Sequence, residues 1–106
     1  MLFQKWIKDE LLEHLGIDKD EIRVTVGSEN GADVQLITKR AQAQFPFSIE
    51  CKRQEGYAKI YKDYEQACNH KHPGTPIVVL KSNRKSPLVV MSWEDFVQLV
   101  KESNER

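Results

Sequence analysis

Three side chains in this chain have the types and spacing for phosphate chemistry: Asp33, Glu50 and Lys52. Asp33 sits in Gly31-Ala32-Asp33-Val34, and the other two close an apolar run, Phe45-Pro46-Phe47-Ser48-Ile49-Glu50-Cys51-Lys52. Sixteen residues lie between Asp33 and Glu50. That is enough for one strand, a turn and most of a second strand, so the two carboxylates can meet across neighbouring strands. Alternation along a strand puts Glu50 and Lys52 on one side, roughly 7 Å apart, with Ile49 and Cys51 on the other. Hydrolysing a phosphodiester takes a hard cation that neutralises the phosphate and makes water nucleophilic near neutral pH, and carboxylates are its natural ligands. Asp33, Glu50 and the main-chain carbonyl of Cys51 would hold Mg²⁺, with Mn²⁺ able to substitute. Lys52 would position or activate the water, or stabilise charge on the phosphorus oxygens. Without a metal, two facing acids would raise each other's pKa. Glu-x-Lys on a strand is by itself a weak signal.

The elements that would position these groups follow from periodicity. Leu2 to Leu15 reads as an amphipathic helix with Phe3, Trp6, Ile7, Leu11, His14 and Leu15 on one side and Gly16 as its stop. Glu10 falls inside that stripe, either at its edge reaching water or as a further carboxylate aimed at the Asp33 cluster; an acid on the packed side needs a partner. His14 is expected to be a satisfied residue on the packed helix. Asp18 to Glu21 reads as a charged connection, and Ile22 to Val26 alternates as a strand. Asn30-Gly31 marks the tight reversal into a strand over 33–38. Arg40 to Gln44 reads as a polar loop, and Pro46 as the start of a third strand or a bulge in it. A helix is expected from Tyr57 to Asn69, ended by Pro73-Gly74. Pro76 to Leu80 and Pro87 to Met91 read as strands of the kind covered on both faces. Ser92-Trp93-Glu94-Asp95 has the form of a capping box with Asp in the last place and opens a final helix carrying Trp93, Phe96, Val97 and Val100; the tail from Glu102 is expected to fray. The order is αβββαββα, an α/β class with one sheet carrying helices.

With 106 residues, 40% of them hydrophobic and 30% charged, the chain reads as a single soluble globular domain over 1–106. Neither a secretory leader nor a membrane span is expected, which points to the cytoplasm. Cys51 and Cys68 are expected to be free thiols. The formal charge is zero, yet it is unevenly spread: residues 1–38 sum to −4, residues 39–85 to +6 and residues 86–106 to −2. A basic middle can attract phosphate locally, although such charges are equally the solvated faces of a helix and loops. Within it, Arg53, Lys59, Lys62, Arg84 and Lys85 are the candidate phosphate contacts, which set position and affinity but not sequence choice. Cys68-Asn69-His70-Lys71-His72 lacks the spacing of a structural zinc site.

The Gly-x-Asp strand start, the aromatic and β-branched strand ending in Glu50-Cys51-Lys52 and the element order together resemble the PD-(D/E)XK nuclease superfamily. Asp33 matches the family's Asp, Glu50 its Asp-or-Glu and Lys52 its Lys, while Ala32 stands where the family name has proline. Phe45-Pro-Phe-Ser-Ile-Glu-Cys-Lys-Arg-Gln-Glu55, Asp63-Tyr-Glu-Gln66 and Pro87-Leu-Val-Val-Met91 are similar to small phage-encoded, Holliday-junction-resolvase-like members, over most of residues 2–101. The resemblance implies a restriction-endonuclease-like core with a central mixed sheet flanked by helices, and a Mg²⁺-dependent endonuclease of DNA recombination acting on branched DNA. It also implies a homodimer, since symmetric cutting of a four-way junction needs two sites about a twofold axis, and, for a phage-encoded protein, the host cytoplasm. It puts an acid on the first helix, Glu10 or else Glu13, and a site-facing glutamine, Gln66, on the helix after the Glu-x-Lys; a solvated Gln66 is the alternative. Tyr57, Tyr61 and Tyr64 are expected in the core before they are expected to stack on bases, and Ser28, Glu29 and Asn30 to form a plain turn before they border a phosphate. Other readings remain: a nicking, flap or restriction-like nuclease, a DNA-binding module without cleavage, or a partner-binding domain with an incidental acid pair.

Overall fold

A computed structural model describes residues 3–25, 34–70 and 73–106. The chain is mixed α/β, with four helices and two small antiparallel sheets among the described residues. It divides into two compact units, residues 1–53 with 100–106, and residues 54–99.

In the first unit, α1 (Phe3–Leu15) buries Ile7, Leu11 and Leu15 at a spacing of four, the side of the helix that the stripe predicted. Phe3 and Trp6 are half-buried, and His14 is exposed but has a partner in Glu10. Gly16 closes the helix in the left-handed region at φ +66°, where a side chain would be strained. The charged stretch after it is not a simple connection but a 3-10 turn over Lys19–Glu21 that leads into β1 (Ile22–Val24). β1 pairs antiparallel with β2 (Val34–Leu36) in the register Ile22↔Leu36, Arg23↔Gln35 and Val24↔Val34, the pairing expected of a reversal between them.

Two expectations fail in this unit. The stretch read as a polar loop is a helix, α2 (Lys39–Gln44): Thr38 caps it by accepting from the Ala41 amide at 3.1 Å, and Arg-Ala-Gln-Ala-Gln is composed of good helix formers. The third strand contracts to a single antiparallel bridge, Val34↔Ile49. Phe45, only 1% exposed, fills the core beside that bridge, with the ring of Phe47 edge-on at 4.8 Å. The bridge does not continue to Phe47 and Pro46.

In the second unit, a 3-10 turn over Glu55–Tyr57 leads into α3 (Ala58–Cys68), which stops at Cys68, ahead of Pro73-Gly74. β3 (Val78–Leu80) and β4 (Leu88–Val90) pair antiparallel as Val78↔Val90, Val79↔Val89 and Leu80↔Leu88. These strands are not covered on both faces: Val79, Leu88 and Val89 are each more than 60% exposed. Nor is there a central mixed sheet among the described residues, since both sheets are two-stranded and antiparallel. Sequence cannot separate a run of β-branched residues buried in a wide sheet from the same run in a hairpin, because local preference is identical in both. α4 (Trp93–Asn104) starts as its capping sequence requires, the Asp95 amide donating to Ser92 Oγ at 3.0 Å. Trp93 and Phe96 lie with ring centres 6.1 Å apart, and Val97 and Val100 are buried. From Val100 onward the helix belongs to the first unit, and there the expected fraying is absent through Asn104, whose side-chain amide donates to the Gln44 carbonyl at 2.8 Å.

Candidate active site

Glu50, Cys51 and Lys52 follow the Val34–Ile49 bridge in irregular backbone, so strand alternation does not govern them. Glu50 and Lys52 nevertheless meet, Oε1 to Nζ at 3.4 Å, with their side chains 64% and 65% exposed. An ion pair so open to water contributes little to stability. Its two groups are therefore accessible to a substrate phosphate or a cation. Cys51 is half-buried and its thiol is free of any disulfide, as is that of exposed Cys68. Asp33 lies outside the described residues, as do Ser28, Glu29, Asn30, Lys71 and His72.

On α1, Glu10 is half-buried and its Oε2 lies 3.5 Å from Nε2 of His14, while Glu13 is exposed one turn along. Potential ligand atoms of Glu10, Glu13 and His14 lie within 4.8 Å of one another. That spacing is what positions i, i+3 and i+4 on one helical face give. Among the candidate phosphate contacts of the first unit, Arg53 is exposed. In the second unit Lys59 donates to Asp63 at 2.7 Å along α3, and Lys62 and Gln66 are exposed on the same helix. Tyr57 and Tyr64 are half-buried and Tyr61 is 67% exposed. The Cys68 thiol hydrogen-bonded to Tyr64 pushes that phenol above its ordinary value, against the opposing effect of the Ser92 hydroxyl. Arg84 and Lys85 are exposed in the turn that joins β3 to β4, closed by the Lys85 amide donating to the Ser82 carbonyl at 3.2 Å. Arg84 takes the left-handed conformation there, φ +62°.

The sequence reading overlooked the most connected polar group in the first unit. Glu21 is buried; its Oε1 accepts from Arg40 Nη2 at 2.6 Å and from the Asp18 amide at 3.0 Å, and its Oε2 accepts from the Thr38 hydroxyl. Arg40 also reaches the Gly16 carbonyl at 3.0 Å. The Thr38 hydroxyl, the Asp18 amide and the Arg40 guanidinium together lower the Glu21 carboxyl to about 2, despite the opposing effect of burial. The same carboxylate raises Arg40. This network ties the α1–β1 connection to the start of α2 and supports the fold. The available signal was Asp18-x-x-Glu21, the spacing of a capping box, followed by Thr38 and Arg40 at a second helix start.

No protein-family model, no curated protein and no solved structure matches the chain. Among the described residues no helix is long and apolar enough to cross a membrane.

Proposed function

We propose that the chain is a metal-dependent DNA endonuclease of the PD-(D/E)XK kind, acting on branched DNA as a homodimer. The carrying observation is the antiparallel bridge Val34–Ile49 followed at once by the open Glu50–Lys52 pair. The bridge brings the residue before Glu50 alongside the residue that follows Asp33 in the sequence, which supports a two-carboxylate site built on Asp33 and Glu50.

The donors suit a hard cation. Glu50 and Asp33 offer carboxylate oxygen and Cys51 a main-chain carbonyl, a set without nitrogen or sulfur that fits Mg²⁺ or Mn²⁺. Bound there, the ion would neutralise the phosphate and lower the pKa of water. Lys52, a compact ammonium on a flexible stem, would donate to a phosphate oxygen or hold the attacking water, and its partner Glu50 would be a ligand of the ion. Glu10, or Glu13 beside it, would add a carboxylate from the first helix. Arg53, Lys59, Lys62, Arg84 and Lys85 would track the phosphate backbone.

The test is cleavage of labelled four-way, flap, single-stranded and linear DNA by the purified protein with Mg²⁺ or with chelator. Metal-dependent nicking concentrated near the branch is expected. Binding without cutting overturns the enzymatic reading in favour of a DNA-binding module, and no binding at moderate salt overturns both.

A further inference from the structure

The outer edge of β2 is an unfinished ladder. The Ile37 amide donates to the Glu21 carbonyl at 2.8 Å, on the β1 side, and alternation along the strand then turns the N–H and C=O of Val34 and Leu36 toward the opposite edge. Ile49 meets Val34 on that edge, and the next hydrogen-bonded pair in the same register is Leu36 with Phe47. It does not form. The Leu36 carbonyl instead accepts from the side chain of Gln42, Nε2 at 2.8 Å, and the Phe47 amide donates to the Phe45 carbonyl at 2.9 Å. Between them runs a groove of about 390 Å³ lined by Val34, Leu36, Gln42, Pro46, Phe47 and Ser48.

The geometry points to a latch: Gln42, projecting from α2, occupies the acceptor that residues 46–49 need in order to dock along β2, so the third strand is held to a single rung and extends when Gln42 withdraws. The exchange conserves hydrogen bonds. Gln42 to Leu36 and Phe47 to Phe45 are lost, and the two bonds between Leu36 and Phe47 replace them. Pro46 does not oppose the extended form, because opposite Ile37 it falls at a position whose N would point away from β2. Phe47, 45% exposed, would come directly across from Leu36 on the same face, which favours docking through apolar contact. Ordering the segment costs backbone entropy, which favours the latched form. Two arrangements of one segment with equal bonding and opposed small terms make a two-state element. The segment ends beside Glu50, so its state fixes or releases that carboxylate, but the latch itself does not depend on any activity of the site.

Backbone resonance assignment with amide hydrogen exchange tests it on Gln42→Ala and Gln42→Glu, the second keeping the side chain's size while removing its donor at neutral pH. In both variants the Phe47 amide is expected to exchange about tenfold more slowly than in the unaltered protein. An Hα–Hα cross-peak between Gln35 and Ser48, opposed at a close non-hydrogen-bonded pair, is expected to appear. Unchanged exchange at Phe47 without that cross-peak in either variant overturns the latch. A response to Gln42→Ala alone overturns it too, since bulk and not the donor would then be what holds the groove open.

Discussion

At the level of single residues, two groups of polar side chains in the first unit behave in opposite ways. Glu21, Thr38 and Arg40 bond to one another and hold the fold; Glu50 and Lys52 pair with each other and lie open to solvent. Replacing the first kind should cost stability, and replacing the second should cost function. Because the folded Glu21 carboxyl sits at about 2 against its ordinary 4.5, its contribution is whole above pH 4.5 and fades as the pH falls toward 2. Denaturant midpoints measured across that window should decline in the unaltered protein and decline less steeply in Glu21→Gln, which starts lower at neutral pH. Thr38→Ala removes both the cap of α2 and a donor to Glu21, and should destabilise by about 1–2 kcal/mol in equilibrium unfolding. Lys52→Ala should abolish cleavage, as should Asp33→Asn, with unfolding midpoints within about 0.5 kcal/mol and junction binding kept. Loss of folding in Lys52→Ala would mean that an exposed ammonium had been mistaken for a catalytic one.

Among the elements, those with a repeating apolar spacing were legible before the structure. α1, α3 and α4 show buried or half-buried residues three and four apart, and β1 and β2 pair antiparallel, while the reversal expected at Asn30-Gly31 lies outside the described residues. What escaped were elements defined by a cap or by an absent partner. α2 is six residues with one buried position, Ala41, too short for periodicity to register, and only Thr38 marks it. The third strand has the composition of a strand, yet its pairing is decided by Gln42 and by the main chain around Pro46, neither of which composition reports. The C-terminal helix persists where fraying was expected because Asn104 bonds to the end of α2. Asn104→Ala should therefore raise amide exchange over residues 101–106 while lowering global stability by no more than about 1 kcal/mol. Of the proposed site, the sequence placed Glu50 and Lys52 on one side of a strand; the structure brings the two side chains together, but from irregular backbone. How Gln66 and the basic residues of the second unit relate to that pair was not readable from sequence, since residue spacing says nothing of how separate units are arranged.

For the molecule as a whole, charge is the property that bears on the proposed binding of DNA. Balanced totals conceal a middle section at +6, and Arg84 and Lys85 stand at the tip of the β3–β4 hairpin in a turn that holds a non-glycine residue at φ +62°. Replacing both should weaken binding to every DNA alike and reduce the slope of log affinity against log salt by up to about two. An unchanged slope would remove that tip from the footprint. The same hairpin carries Val79, Leu88 and Val89 bare to water on strands that are both sheet edges. With sixteen positive and sixteen negative side chains cancelling near neutrality, no long-range repulsion keeps two such molecules apart, so solubility should pass through its minimum close to pH 7 and recover on either side. Static light scattering across pH, repeated on Val79→Thr with Val89→Thr, would follow that dip and its disappearance.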